Sequence, residues 1–139
     1  MKKYNILDCA HEYGFVVLAI NSHSKAYKLC WNLNQTLGLN LEIIDGHKIN
    51  EELVFCRYKS ESVDGLELNL LSNRSKKGYM IPSQKSVNYF LIIKTDNWAL
   101  IKDEFLGKLR TINDILLVFE LELEKEKDSD RFIMYDKKD

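Results

Sequence analysis

Two runs of the chain are apolar at nearly every position, and the segments around them follow either helical or alternating spacing. FVVLAIN (15–21) is continuous and rich in β-branched residues, which predicts a central strand covered on at least one face. In SHSKAYKLCWNLNQTLG, Ala26, Cys30, Leu33 and Leu37 fall on one helical stripe flanked by Tyr27 and Trp31. Ser22 or Ser24 is the expected N-cap of that helix, and Gly38 its stop. LNLEII (39–44) predicts a second strand, closed by the turn-like DGHK. ELVFCRYKSE and LELNLLSN predict a hairpin around Asp64-Gly65, with Ser62 and Val63 lengthening its loop. VNYFLIIK (87–94) is the second strongly apolar strand. TDNWALIKDEFLGKLRTI predicts a helix capped by Asp96 or Asn97, with Trp98, Ile101, Phe105 and Leu109 inward and Trp98 deeper than Trp31. DILLVFELEL (114–123) is the last expected strand, emerging into water at Glu120 and Glu122.

Both halves share one plan of strand, short polar cap, helix, strand, around an intervening hairpin. This predicts an α+β fold: a two-layer sandwich of a mostly antiparallel mixed sheet with two helices on one face, ferredoxin-like with an inserted hairpin. The predicted domain runs from 1 to 123. Residues 124–139 read as a charged, flexible tail, since the stretch from Glu120 onward holds eight acidic and five basic residues and is at −3. Within it RFIMYD is an apolar island, able to dock on its own domain or on a partner as an added strand.

Composition narrows the partners. The chain of 139 residues suits one domain, with 45% apolar and 29% charged residues. Its net charge of −1 brings no global attraction to nucleic acid or to an anionic membrane. Cys9, Cys30 and Cys56 are odd in number and widely spaced, which suggests reduced thiols in the cytoplasm and neither a disulfide framework nor a zinc ribbon. FVVLAI is far shorter than the ~18 residues a membrane span needs, so neither a targeting segment nor a membrane partner is expected.

The segment NRSKKGYMIPSQKSVNYFLIIK (73–94) carries the only proline, Pro82, behind Arg74, Lys76 and Lys77. Pro82 fixes its own φ and biases Ile81 toward extended backbone. A structural turn anchored by Ile81, Val87 and Tyr89 is one reading, and a recognition loop is the other. MIPSQKSVNYFLIIK resembles the signature of the IPExxxVDY family, matching at Ile81, Pro82, Val87 and Tyr89. Ser83 and Asn88 stand where that signature has glutamate and aspartate. SNRSKKGY and INSHSKAYKLCWNLNQTLGL resemble the same family, over 15–123 in all. The family comprises small proteins, mainly of Bacteroidetes, without an established activity. The resemblance thus implies a bacterial, cytoplasmic protein, and no catalytic residues carry over.

Catalytic constellations are not suggested. His11, His23 and His47 lie in three separate segments, and Ser22 beside His23 lacks the third group that would align a nucleophile with a base. Asp45, His47, Glu51 and Glu52 lack a recognised metal spacing and read as a polar turn. Cys30 reads as a small core hydrophobe. No phosphate loop or dinucleotide fingerprint occurs. Neither cofactor nor metal is therefore expected. The leading expectation is a non-catalytic protein-interaction module, acting on a protein partner or on itself as a homodimer. The alternative is an RNA-binding protein in which Arg57, Lys59, Arg74, Lys76, Lys77 and Lys85 share a surface with Tyr58 and Tyr79. On either reading, the candidate binding residues are Arg74, Lys76, Lys77, Tyr79 and Pro82.

Overall fold

The computed structural model describes residues 14–61 and 65–134. Cys9, His11, the hairpin tip at Ser62, Val63 and Asp64, and the last five residues lie outside them. The fold is α+β, with a six-stranded sheet and two helices. The strands are β1 (Val16–Asn21), β2 (Glu42–Lys48), β3 (Val54–Glu61), β4 (Glu67–Ser72), β7 (Tyr89–Lys94) and β8 (Leu117–Glu120), in the order β2-β3-β4-β7-β1-β8. A small hairpin of β5 (Arg74–Ser75) and β6 (Gly78–Tyr79) stands apart. Helix α1 (Ala26–Leu37) connects β1 to β2, and α2 (Trp98–Leu109) connects β7 to β8. All five neighbour pairings are antiparallel, so the expected mixed character is absent among the described strands. The reason is topological. Each helical crossover returns to a strand that is not adjacent to the one it left, and other strands fill the gap.

Period-2 alternation sorts β1 between two cores. Val16, Leu18 and Ile20 face Leu29, Cys30 and Leu33 of α1 and Phe105, Leu106 and Leu109 of α2. Both helices therefore lie on one face. Val17 and Ala19 point the other way, into a second core with Phe55, Leu71, Met80, Ile81, Phe90, Ile92 and Phe132. No α-helix covers this second face among the described residues. The loop 73–88 and the C-terminal segment 121–134 cover it instead. This double burial explains why β1 and β7 are apolar without alternation.

Several local expectations change. The residue at the N-cap of α1 is Lys25, without a side-chain cap, because Ser24 Oγ donates instead to Asp114 Oδ2 (2.7 Å) and Ser22 Oγ accepts from the Ser24 N–H. Gly38 does end the helix, at φ 67, with its N–H donating to Asn34 O. Trp31 is 62% exposed and contributes little to the core, whereas Trp98 is half-buried, edge-on to Phe105, and donates to Glu120 Oε1. Asn97 stands at the N-cap of α2 without using its side chain. DGHK is not a turn: it continues β2 through a bulge between Ile44 and His47. Gly46 fits tightly there: a Cβ would lie 2.6 Å from Val54 Cγ1 and 3.1 Å from Phe55 O, so the neighbours would have to shift. The true turn is one step later, where Asn50 Oδ1 accepts from the N–H groups of Glu52 and Leu53.

The expected flexible tail is the largest correction. As far as Met134 it is a strap packed on the second face, with Phe132 fully buried and edge-on to Phe90 at 5.0 Å between ring centroids. Arg131 donates to the carbonyls of Tyr79 (3.3 Å) and Met80 (3.0 Å), and His47 Nε2 lies 2.6 Å from Arg131 O. High charge misled the expectation: the charged residues alternate with Leu121, Leu123 and Phe132, which all point inward.

Phe132→Ala should therefore cost about 3–5 kcal/mol in urea titration. Truncation after Leu123 should lower the melting temperature by many degrees. A soluble Phe132→Ala chain that loses less than about 1 kcal/mol would show the strap to be dispensable.

Candidate functional site

The loop 73–88 is fixed from within by Asn73, which is fully buried. Its N–H donates to Asn88 O, and its carbonyl accepts from the Met80 N–H. Its side-chain oxygen accepts from the Ile81 N–H at 3.0 Å. Its Nδ2 donates to the carbonyls of Gln84 and Val87, both at 2.8 Å. One asparagine thus satisfies the backbone of a loop that wraps round it. Pro82 opens a single 3-10 turn, Pro82–Gln84, and Ile81 before it is extended at φ −124, ψ 97. The loop joins the sheet through Asn88, whose N–H donates to Ile20 O and whose Oδ1 accepts from the Ser22 N–H at 2.8 Å.

Between this loop and the start of α1 lies a cleft of about 390 Å³. Three cations line it: Lys25 at the start of α1, and Arg74 and Lys85 on the loop. Tyr79 and Tyr89 contribute ring surface, and Ser22, Ser24 and Asn88 contribute polar groups. Among the described residues no carboxylate lines it. Lys85 Nζ stands 5.7 Å from the centroid of the Tyr79 ring, a cation–π approach that keeps the ammonium at the cleft. Tyr89 donates its hydroxyl to Ser24 O and is held above the usual tyrosine range by burial, then by Cys30 and Cys56, so it stays neutral. The uncapped N-terminus of α1 adds a small positive field at Lys25.

The candidate residues divide between this cleft and its neighbour. Arg74 and Tyr79 line the cleft. Lys76 and Lys77 do not: they line an adjoining groove of about 540 Å³, opposite Glu51 and Glu52, and Arg74 lines both. Pro82 is exposed and lines neither. Arg57 is buried and donates through Nε to Asn69 Oδ1 at 2.9 Å, so it belongs to the interior. Tyr58 packs against the helix-face core, and neither it nor Lys59 lines the cleft. Lys25 was not singled out from sequence, and His23 and Tyr89 were not named there as binding residues. They approach Arg74 only because Asn88 pins the end of β1 to the loop.

Catalytic and metal chemistry find little material. His23 is at the cleft beside Ser22, whose hydroxyl is engaged by the Ser24 N–H. His47, drawn from sequence beside Asp45 and Glu51, is turned inward onto the strap. Among the described residues no cluster of His, Cys, Asp and Glu has the arrangement of a metal site, and no helix is long and apolar enough to cross a membrane. Cys30 is buried and pushed up to about 12, first by desolvation and then by Cys56, which is exposed. No protein-family model and no curated protein matches the chain.

Three measurements follow. Asn73→Ala should destabilise by at least about 2 kcal/mol, because the Ile81 N–H and two carbonyls lose partners at once; a smaller loss would mean that water replaces the side chain. The Cys30 thiol, with its folded pKa raised from 9.0 to about 12, stays protonated in the fold where the unfolded chain releases its proton. Its contribution is complete below the lower value and is lost as pH rises through that window. Stability should fall there, and Cys30→Ala should flatten the fall. In the native chain a thiol reagent should label Cys56 and spare Cys30; native labelling of Cys30 would contradict its burial.

Proposed function

We propose that this chain is a non-catalytic binding module and that its cleft takes a phosphate-bearing single strand, with RNA as the ligand class. The observation that carries this reading is the convergence of Lys25, Arg74 and Lys85 on one cleft without a lining carboxylate, beside the ring of Tyr79. Cations placed against phosphates provide affinity, and an aromatic ring provides a sequence-tolerant stacking surface. A cleft of about 390 Å³ is of the size that holds a small ligand or one splayed nucleotide. The net charge of −1 does not oppose this, because screening confines each charge to about 10 Å at moderate salt and the local sign decides.

The leading sequence expectation, a protein partner or a homodimer, is kept as a second reading. Tyr27 and Trp31 favour it, standing four residues apart on α1 at 67% and 62% exposure. Membership of the IPExxxVDY family is likewise a proposal. Its support is that Ile81, Val87 and Tyr89 are all buried, and that Asn88 serves through an acceptor oxygen that an aspartate would also supply. A cytoplasmic setting goes with that proposal.

The test is binding of a short single-stranded RNA by fluorescence anisotropy across salt concentrations. Arg74→Ala with Lys85→Ala should weaken binding and make the log–log salt slope shallower by about 1.4, at roughly 0.7 per phosphate contact on a single strand. Tyr79→Leu should lose about 1–3 kcal/mol of stacking with the slope unchanged. A wild-type chain that fails to retain RNA at low salt would overturn the reading.

A further inference from the structure

We infer that Glu126 and Arg131, on the C-terminal strap, are positioning residues for the cleft on the far side of the loop; the inference rests on the RNA reading above. The loop 73–88 has two sides. Its inner side presents Arg74, Tyr79 and Lys85 to the cleft. Its outer side is gripped by the strap at two places. Glu126 accepts through Oε1 from Ser83 Oγ (2.8 Å) and through Oε2 from Gln84 Nε2 (3.1 Å). Arg131 donates to the carbonyls of Tyr79 and Met80.

Both grips fall at or next to a cleft residue. The Tyr79 carbonyl is held by Arg131 while its ring lines the cleft. Gln84 is held by Glu126, and the next residue, Lys85, carries the ammonium that stands over that ring. Asn73 secures the same loop at Met80, Ile81, Gln84 and Val87. It leaves the Tyr79 carbonyl and the side chains of Ser83 and Gln84 to the strap. Arg131 is itself held at the second face by its neighbour Phe132, buried against Phe90, and by His47 at its carbonyl. The distance between Tyr79 and Lys85, and hence the spacing of ring and cation offered to a ligand, is therefore set by the strap as well as by Asn73.

Loss of a grip removes no cleft cation but frees the loop that carries Arg74 and Lys85, and a ligand must then order it on binding. Affinity falls while the number of phosphate contacts, and so the salt slope, stays the same. This separates positioning from direct contact.

The experiment combines hydrogen exchange of the unliganded chain with RNA binding, on Glu126→Ala, Arg131→Ala and Arg131→Lys. Glu124→Ala, an exposed change on the same strap, is the control. Amides within 79–87 should exchange about tenfold faster in the first two variants, the scale of one charge-assisted hydrogen bond, with β1 and β7 unchanged. RNA binding should weaken by about the same factor at the wild-type salt slope, and Arg131→Lys should recover part of both effects. Should Arg131→Ala fail to fold, Glu126→Ala carries the test. Unchanged exchange in 79–87 overturns the proposal whatever the RNA result, as does a shallower salt slope. Faster exchange in a chain whose wild type never binds RNA supports the mechanical link and overturns only the functional reading.

Discussion

The fold depends on covering the second face of β1 and β7 with a loop and a strap whose only regular structure is a short hairpin and single 3-10 turns. A helix would bring its own internal hydrogen bonds to such a surface. An irregular loop brings bare N–H and C=O groups, and each one buried without a partner costs on the order of 1–3 kcal/mol. Asn73 meets this demand from inside the loop and Arg131 from outside it. Between them they engage backbone groups of Tyr79, Met80, Ile81, Gln84 and Val87. The apolar side chains carried by the same segments, Met80, Ile81, Val87 and Phe132, can then close the core. The cationic cleft forms on the side of the loop that faces the start of α1.

The regular elements were legible because their causes are local. FVVLAIN and VNYFLIIK declare buried strands by composition, and Gly38 stops α1 through its backbone freedom. Where a local rule met a tertiary competitor, the competitor won. Ser24 is a good cap by type, but Asp114, ninety residues later, takes its hydroxyl. DGHK is turn-like by composition, yet pairing with β3 and the fit of Gly46 against Val54 turn it into a bulged strand. The strap reads as solvated because its charges outnumber its apolar residues, and average hydrophobicity does not register that Leu121, Leu123 and Phe132 share one direction.

The site was half legible. Arg74 and Tyr79 stand out as a basic residue and an aromatic on a loop with a lone proline. Lys85 entered only as one of six basic residues of the RNA alternative, and Lys25 carries no local signal, since a lysine on a helix shoulder is usually only solvated. Their convergence comes from two long-range pins, Asn88 to Ile20 and Ser22, and Asn21 Nδ2 to Ser86 O. Arg57 shows the opposite error. It sits in a strand between residues that read as exposed, but its partner Asn69 on the neighbouring strand draws it inward.

The strand order has a consequence for how the chain reaches this state. β1 lies early in the sequence, and its two neighbours come late: Leu18 is opposite Leu91 on one side and Glu120 on the other. β1 therefore has no sheet partner among the described strands until β7, about 70 residues further along, has been made. Through that interval FVVLAI is an unpaired apolar ribbon. Such high sequence separation between partners slows folding, because a long loop must close before any pairing rewards it. It also prolongs the time during which the nascent chain can aggregate through this exposed strand.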